Sequence, residues 1–154
     1  MRTGLLALML LVGVAPALAA PSKPESVPQI SLTKLLANRF GNLSLAEKRL
    51  AAAAGIGETA DCTNLSENDK VIRGTLLSWL CTNVQATANL TYHGVLISNA
   101  NIVGDLDLRW AKISFPLVAS DSVFEGIALS NSHIVFLSLT GSILTNLTAS
   151  AISQ

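Results

Sequence analysis

The chain has 154 residues, half of them hydrophobic and only 13% charged, and its formal net charge is zero. This length suits a single domain with a real hydrophobic core. The neutral balance excludes a nucleic-acid-binding protein, which needs a basic stripe, and the high apolar content excludes a disordered chain.

The N-terminal segment is typical of an exported protein. Residues 1–19 are predicted to be a secretory signal peptide, with one arginine, an apolar run from Leu5 and a small-x-small cleavage site ending at Ala19. An uncleaved membrane anchor is the alternative, but the apolar run is short and Pro16 interrupts it. Residues 20–30 hold three prolines and are predicted to be an extended linker. We expect a periplasmic or extracellular protein with no transmembrane segment after cleavage.

Residues 31–89 are predicted to form a helical cap region. Apolar residues at helical spacing follow Ser31, which can cap a first helix. Ser44 opens a capping box, and the second helix that it starts is expected to end at Gly55. A third helix is predicted over 67–81.

Residues 90–154 contain six tandem units of 10 or 11 residues. Two residues after each unit begins there is a large apolar side chain, and an apolar pair spaced two apart follows later in the unit. A repeat of this kind has to be interpreted before any single motif. The units begin at Leu90, Ala100, Ala111, Ser122, Ser132 and Ser142.

The alternation inside each unit predicts short strands, because side chains two apart on a strand point to the same face. Each slip of the register predicts a corner, so two units would make one coil and alternate units would stack. We therefore predict an all-β fold, a right-handed parallel β-solenoid of about three coils with an α-helical N-terminal cap. An antiparallel sandwich is the alternative, but Asn-Gly and Asp-Gly hairpin signals are absent. The predicted columns of stacked residues are Tyr92, Ile113 and Ile134, and Ile102, Phe124 and Leu144.

The units resemble pentapeptide repeats, whose consensus is A-(N/D)-L-x-x with the central leucine inward. Ala100-Asn101-Ile102 matches that core, and residues 67–150 are similar to exported or membrane-associated bacterial proteins with a helical cap before such repeats. The 11-residue spacings depart from a strict pentapeptide phase. The resemblance implies a fold and says little about function. Some relatives mimic DNA, but residues 92–154 have a net charge of only −2, which does not suit DNA mimicry.

One stretch of the repeat carries candidate binding residues. Asp105, Asp107 and Arg109 are expected to point outward from one strand, with neighbouring carboxylates about 6.6 Å apart. Glycosidases and polysaccharide lyases use carboxylates and an arginine in this way, and Trp110 could stack on a sugar. The other interpretation is a solvated ion pair and a packing tryptophan on a flat wall that offers no cleft.

No other pattern indicates catalysis, a cofactor or a metal ion. The sequence has no nucleophile elbow, zincin helix, P-loop or dinucleotide fingerprint. His93 and His133 are far apart in sequence and are expected to be surface or turn residues. Trp79 lies on the apolar face of the third predicted helix and is expected to pack in the core.

The two cysteines are predicted to form a disulfide. Cys62 and Cys81 are 19 positions apart, and an exported chain meets an oxidising compartment. Such a bond would stabilise the fold by about 3 kcal/mol in the loop-entropy estimate. Two buried free thiols are the alternative.

The leading functional hypothesis is a non-enzymatic exported solenoid that acts as a structural or protein-interaction surface. The alternative is a carbohydrate-binding or polysaccharide-acting protein that uses the Asp105, Asp107 and Arg109 edge. The repeat pattern runs close to residue 154 without a polar capping helix. This indicates either a homodimer through the C-terminal edge or a truncated piece of a longer protein.

Overall fold

The computed structural model describes residues 31–151. The predicted signal peptide and linker, and residues 152–154 of the repeat region, lie outside the described residues. The N-terminal half of the described chain contains four helices and two short strands: α1 (Leu32–Phe40), α2 (Leu45–Ile56), β1 (Thr59–Asp61), β2 (Val71–Arg73), α3 (Gly74–Thr82) and α4 (Val84–Thr87). Six further strands follow: β3 (Val95–Ser98), β4 (Asn101–Asp107), β5 (Lys112–Ser120), β6 (Val123–Ala128), β7 (His133–Ser138) and β8 (Ile143–Thr148).

The predicted all-β solenoid with a separate helical cap is wrong. The strands form two parallel four-stranded sheets, ordered β1-β3-β5-β7 and β2-β4-β6-β8, and together with the helices they make an α/β arrangement. The prediction failed because β1 and β2 lie inside the region that the sequence assigns to a helical cap, and α3 and α4 lie between β2 and β3. The antiparallel alternative is also wrong, since every strand pair in the described chain is parallel.

The helix signals near the N-terminus are largely confirmed. The Ser31 hydroxyl accepts a hydrogen bond from the Lys34 amide at the start of α1, and the capping box at Ser44 is complete. Helix α2 runs past Gly55 and is capped by Gly57. The predicted third helix starts later than expected, at Gly74, because the three residues before it form β2 and pair with β4.

The predicted pairing between alternate repeat units is confirmed for the strand residues. Ile113 lies opposite Ile134, and Phe124 lies between Ile102 and Leu144 in the other sheet. Tyr92 is an exception, because it lies outside the strands and is 83% exposed.

Two β-bulges account for the 11-residue spacings. In β4 the register against β6 shifts between Ile102 and Asp105, and in β5 the register against β7 shifts between Ile113 and Pro116. In each case three steps along one strand match two steps along its partner. The pair β6 and β8 has no such shift, which agrees with the 10-residue spacing of the later units.

A buried ion pair ties α2 to β2. The Glu47 carboxylate is nearly inaccessible and accepts hydrogen bonds from Arg73 Nε at 2.7 Å and from the Ser44 amide at 3.0 Å. It also accepts the backbone N–H of Arg73 at 3.1 Å. Burial alone would raise the pKa of Glu47, but the hydrogen bonds from Arg73 and Ser44 outweigh it and the pKa is lowered.

We expect Glu47 to stabilise the fold above about pH 4.5 and to lose that contribution at lower pH. Its folded-state pKa lies below the ordinary value of 4.5, so acid protonates the unfolded chain more readily and favours unfolding. E47Q should be about 2 kcal/mol less stable near neutral pH, and the difference should shrink as the pH falls below 4.5. Urea unfolding at a series of pH values measures this, with E58Q as the exposed control. A pH-independent difference would contradict the assignment.

Candidate functional site

The structure brings the four predicted site residues together in one groove of about 930 Å³. The groove exists because α3 packs beside β4, and it is a shallow depression that is open to solvent. The alternative interpretation, a solvated ion pair at an open edge, stays a prediction, since Asp107 and Arg109 are about half exposed. The groove is lined by Thr75, Ser78, Thr82, Asp105, Asp107, Arg109, Trp110, Ala111 and Lys112.

One wall of the groove is the polar face of α3. Thr75, Ser78 and Thr82 are spaced three and four residues apart and therefore share one helix face. The Ser78 hydroxyl accepts a hydrogen bond from the Asp107 amide at 2.9 Å. This contact links the helix wall directly to the end of β4.

The close approach of α3 to β4 depends on Gly74, the first residue of the helix. A Cβ at this position would lie 2.6 Å from the Asp105 carbonyl oxygen and 2.7 Å from that of Gly104. Both separations are shorter than a side chain tolerates, and both neighbours are backbone atoms that move only with the strand. A residue without a side chain at position 74 is therefore what lets the two walls meet.

Asp107 and Arg109 form a fork at the floor of the groove. Arg109 donates to both carboxylate oxygens, from Nε at 2.9 Å and from Nη2 at 2.6 Å. These bonds lower the pKa of the Asp107 carboxyl, and the Asp107 carboxylate raises the pKa of the Arg109 guanidinium. Both side chains are about half exposed, so the pair adds little to stability and its main effect is to fix the two groups in one geometry.

Trp110 has an unusual backbone conformation for a bulky residue. Its φ is +61°, in the left-handed region, and its side chain is 77% exposed. Most residues at equivalent corners tolerate this region, as Asn131 does. The two corners are equivalent because the backbone N–H of Trp110 donates to the Ser130 carbonyl and that of Asn131 donates to the Ser150 carbonyl. Left-handed backbone costs about 1–2 kcal/mol for an ordinary L-residue. The corner thus presents a large aromatic ring to solvent at an energetic cost.

The remaining charges of the groove are Asp105 and Lys112, one of each sign. Within the described chain neither side chain has a salt bridge or a side-chain hydrogen bond. With the Asp107 and Arg109 pair, the groove has two carboxylates and two basic groups. Its formal charge is therefore balanced.

The other predicted residues lie outside the groove. His93 packs against the ring of Tyr92, and His133 begins β7. Trp79 contacts Phe40 edge to face, which confirms its packing role.

The predicted disulfide is not formed in the structure. Cys62 and Cys81 are free thiols, and both are buried in the hydrophobic core, as in the alternative interpretation. Burial raises the pKa of the Cys81 thiol to about 12 and also raises that of Cys62. Both groups are accordingly protonated and unreactive at neutral pH.

Residues 31–151 contain no group of three or more His, Cys, Asp or Glu side chains placed to hold a metal ion. None of the helices in this range has the length and apolar character needed to cross a membrane.

Comparison with known proteins identifies no relative. No family model matches the chain, and no curated protein or solved structure is significantly similar to it. The resemblance to pentapeptide repeats stays an expectation from the sequence, and the groove has to be interpreted from its own chemistry.

Several residues of the groove were missed by sequence reasoning. The hydroxyls of α3 had a signal, the T-x-x-S-x-x-x-T spacing that begins at Thr75 on the face opposite the apolar one. Gly74 had no signal, because its role depends on which strand the helix packs against. The left-handed corners had a sequence signal, since the residue before most unit starts is Asn, Asp or Gly.

We expect W110N to raise the free energy of unfolding by about 1 kcal/mol, because asparagine tolerates the left-handed region and the exposed ring contributes little burial. Thermal or urea unfolding of the variant measures this. The matched control is N131W, which should lower stability by a similar amount. If W110N is less stable than the native chain, Trp110 is a packing residue and the strain argument fails.

Proposed function

We propose that the protein is an exported, non-enzymatic carbohydrate-binding protein and that the groove between α3 and β4 is its binding site. The observation that carries the proposal is Trp110, an exposed ring held at a strained corner beside fixed polar groups. Strained residues that the fold does not require are concentrated at functional sites. An exposed aromatic face is the surface on which the C–H face of a sugar ring stacks.

The polar groups beside the ring suit the hydroxyls of a sugar. The Asp107 carboxylate keeps acceptor sites beyond the two bonds to the Arg109 side chain, and the guanidinium keeps further N–H donors. Sugar hydroxyls both donate and accept, so a fixed carboxylate and guanidinium can bind adjacent hydroxyls. The salt bridge holds both groups in place before binding, which reduces the ordering cost of association.

The electrostatics of Asp107 suit ligand binding and do not suit a role as proton donor. A glycosidase needs a carboxylic acid with a raised pKa as its proton donor. The pKa of Asp107 is lowered by Arg109, so this group is ionised at neutral pH and serves as an acceptor. Because the charges of the groove balance, we propose an uncharged polysaccharide as ligand.

The purified protein should sediment with an insoluble neutral polysaccharide such as cellulose, chitin or xylan. W110N should reduce the bound fraction about tenfold or more, and D107N should also reduce it, since each removes one contact to the sugar. Binding should change little between low and high salt, because no net charge is involved. The measurement is depletion of protein from the supernatant over a range of polysaccharide concentrations.

The matched control is Y92A, which removes another exposed aromatic residue outside the groove. It should bind as the native chain does. If no polysaccharide retains the native protein, or if W110N binds as well as the native chain, the proposal fails.

A second candidate function, a protein-interaction surface, is favoured by one observation. Residues 126–154 contain no Asp, Glu, Lys or Arg. Strands β7 and β8 form one edge of each sheet and expose large apolar side chains, and charged residues that normally protect such edges are missing. An uncharged edge matches a second uncharged edge, so the partner proposed is a second copy of the chain. The exposed side chains are Val135, Phe136, Ile143 and Leu147.

Light scattering after size exclusion should give the mass of a dimer for the native protein. I143K and L147K should each shift the mass toward a monomer, because a lysine cannot be buried unpaired at the edge. V84K, at an exposed apolar residue of α4, is the control and should stay dimeric. A monomeric native protein at every concentration would exclude this candidate.

A further inference from the structure

We propose that Glu125 is a positioning residue of the groove, although it does not line it. Its carboxylate holds the β-bulge of β4 and thereby sets the position of Asp105. The part of this inference that concerns ligand binding rests on the proposed function. The part that concerns Asp105 does not.

Glu125 lies opposite the bulge. Ile102 pairs with Phe124 and Asp105 pairs with Gly126, so Glu125 alone faces two residues of β4. One residue of a bulge loses its ladder partner, and its backbone N–H needs another acceptor. The Glu125 Oε2 atom accepts the N–H of Gly104 at 2.6 Å, a short charge-assisted hydrogen bond.

The register shift of β4 lies immediately before Asp105. Gly104 has a φ of +76°, and an added Cβ there would meet no other atom within 4 Å. The glycine is therefore required by the backbone conformation and not by lack of space. Bulges of this kind redirect the side chains that follow them and are frequent beside functional sites.

The carboxylate of Asp105 fills the space that Gly126 of the neighbouring strand β6 leaves by having no side chain. It lies over Gly126, and a Cβ at that position would collide with Asp105 Oδ1. The backbone of the same segment lies against the first residue of α3, where a Cβ on Gly74 would collide with the Gly104 and Asp105 carbonyl oxygens. The segment at Gly104 and Asp105, which Glu125 holds, is therefore the place where β4 and α3, the two walls of the groove, meet.

E125A removes the acceptor, whereas E125Q keeps an amide oxygen that can accept the same N–H. We expect hydrogen exchange at the Gly104 amide to become about tenfold faster in E125A and to return close to the native rate in E125Q. The Asp105 side-chain carboxyl resonance should shift in E125A and be restored in E125Q. E58A removes an exposed carboxylate elsewhere and should change neither reading.

The binding measurement uses the same variants with the polysaccharide that the native protein binds. E125A should weaken binding about three- to tenfold and E125Q should restore it, because the hydrogen bond and not the charge sets the position of Asp105. The other amide resonances of E125A should keep their native positions, which separates the effect from unfolding.

Two results would overturn the inference. One is native exchange at Gly104 together with an unshifted Asp105 resonance in E125A. The other is weakened binding in E125A that E125Q does not restore. If no polysaccharide binds the native protein, the proposed function fails, while the exchange and resonance readings still decide whether Glu125 positions Asp105.

Discussion

The fold depends on one constraint, the hydrogen bonding of each strand to the strand two positions further along the chain. Strand β3 pairs with β5 and β4 with β6, so neighbours in the sequence lie in different sheets. From β3 onward, each pair of strands keeps its register although the paired residues lie 20 to 22 positions apart in the chain. An extra residue can be accommodated only by bulging out of the ladder. The two bulges are the direct consequence, and the groove is built on one of them.

The same constraint explains why helices contribute to the site. Strands β1 and β2 are only three residues long, yet they extend both sheets and fix the chain that follows. Helix α3 begins directly after β2, so the pairing of β2 with β4 also determines where the helix starts beside β4. The buried bond between Glu47 and Arg73 fixes the last residue of β2 to α2. The position of the α3 wall of the groove therefore depends on contacts made in the N-terminal half.

The pairing between distant strands could be predicted from the sequence, but the fold class could not. A period of 10 or 11 residues predicted that Ile113 would lie opposite Ile134, because register follows from inward apolar residues. Three-residue strands such as β2 have no period of their own, so Val71 to Arg73 could not be told from part of the predicted helix. This is why a helix was predicted from residue 67 and why the α/β arrangement was missed. The groove was missed for the same reason, since it needs α3 in its actual place.

The candidate site itself was predictable in its residue types and not in its geometry. Outward Asp105 and Asp107 follow from strand alternation, but Arg109 lies in the turn after β4 and not on the predicted strand, and the groove in front of these residues does not follow from alternation. The most informative deviation was local: of the left-handed corner residues in the described chain, Trp110 and Ala151 are neither Asn, Asp nor Gly, and only Trp110 is bulky. A corner needs only a residue that tolerates the left-handed region, and an exposed indole ring adds neither burial nor a better turn. A residue that opposes the local preference without helping the fold is best explained by what it contacts outside the fold, and the polar groups beside this ring suit a sugar.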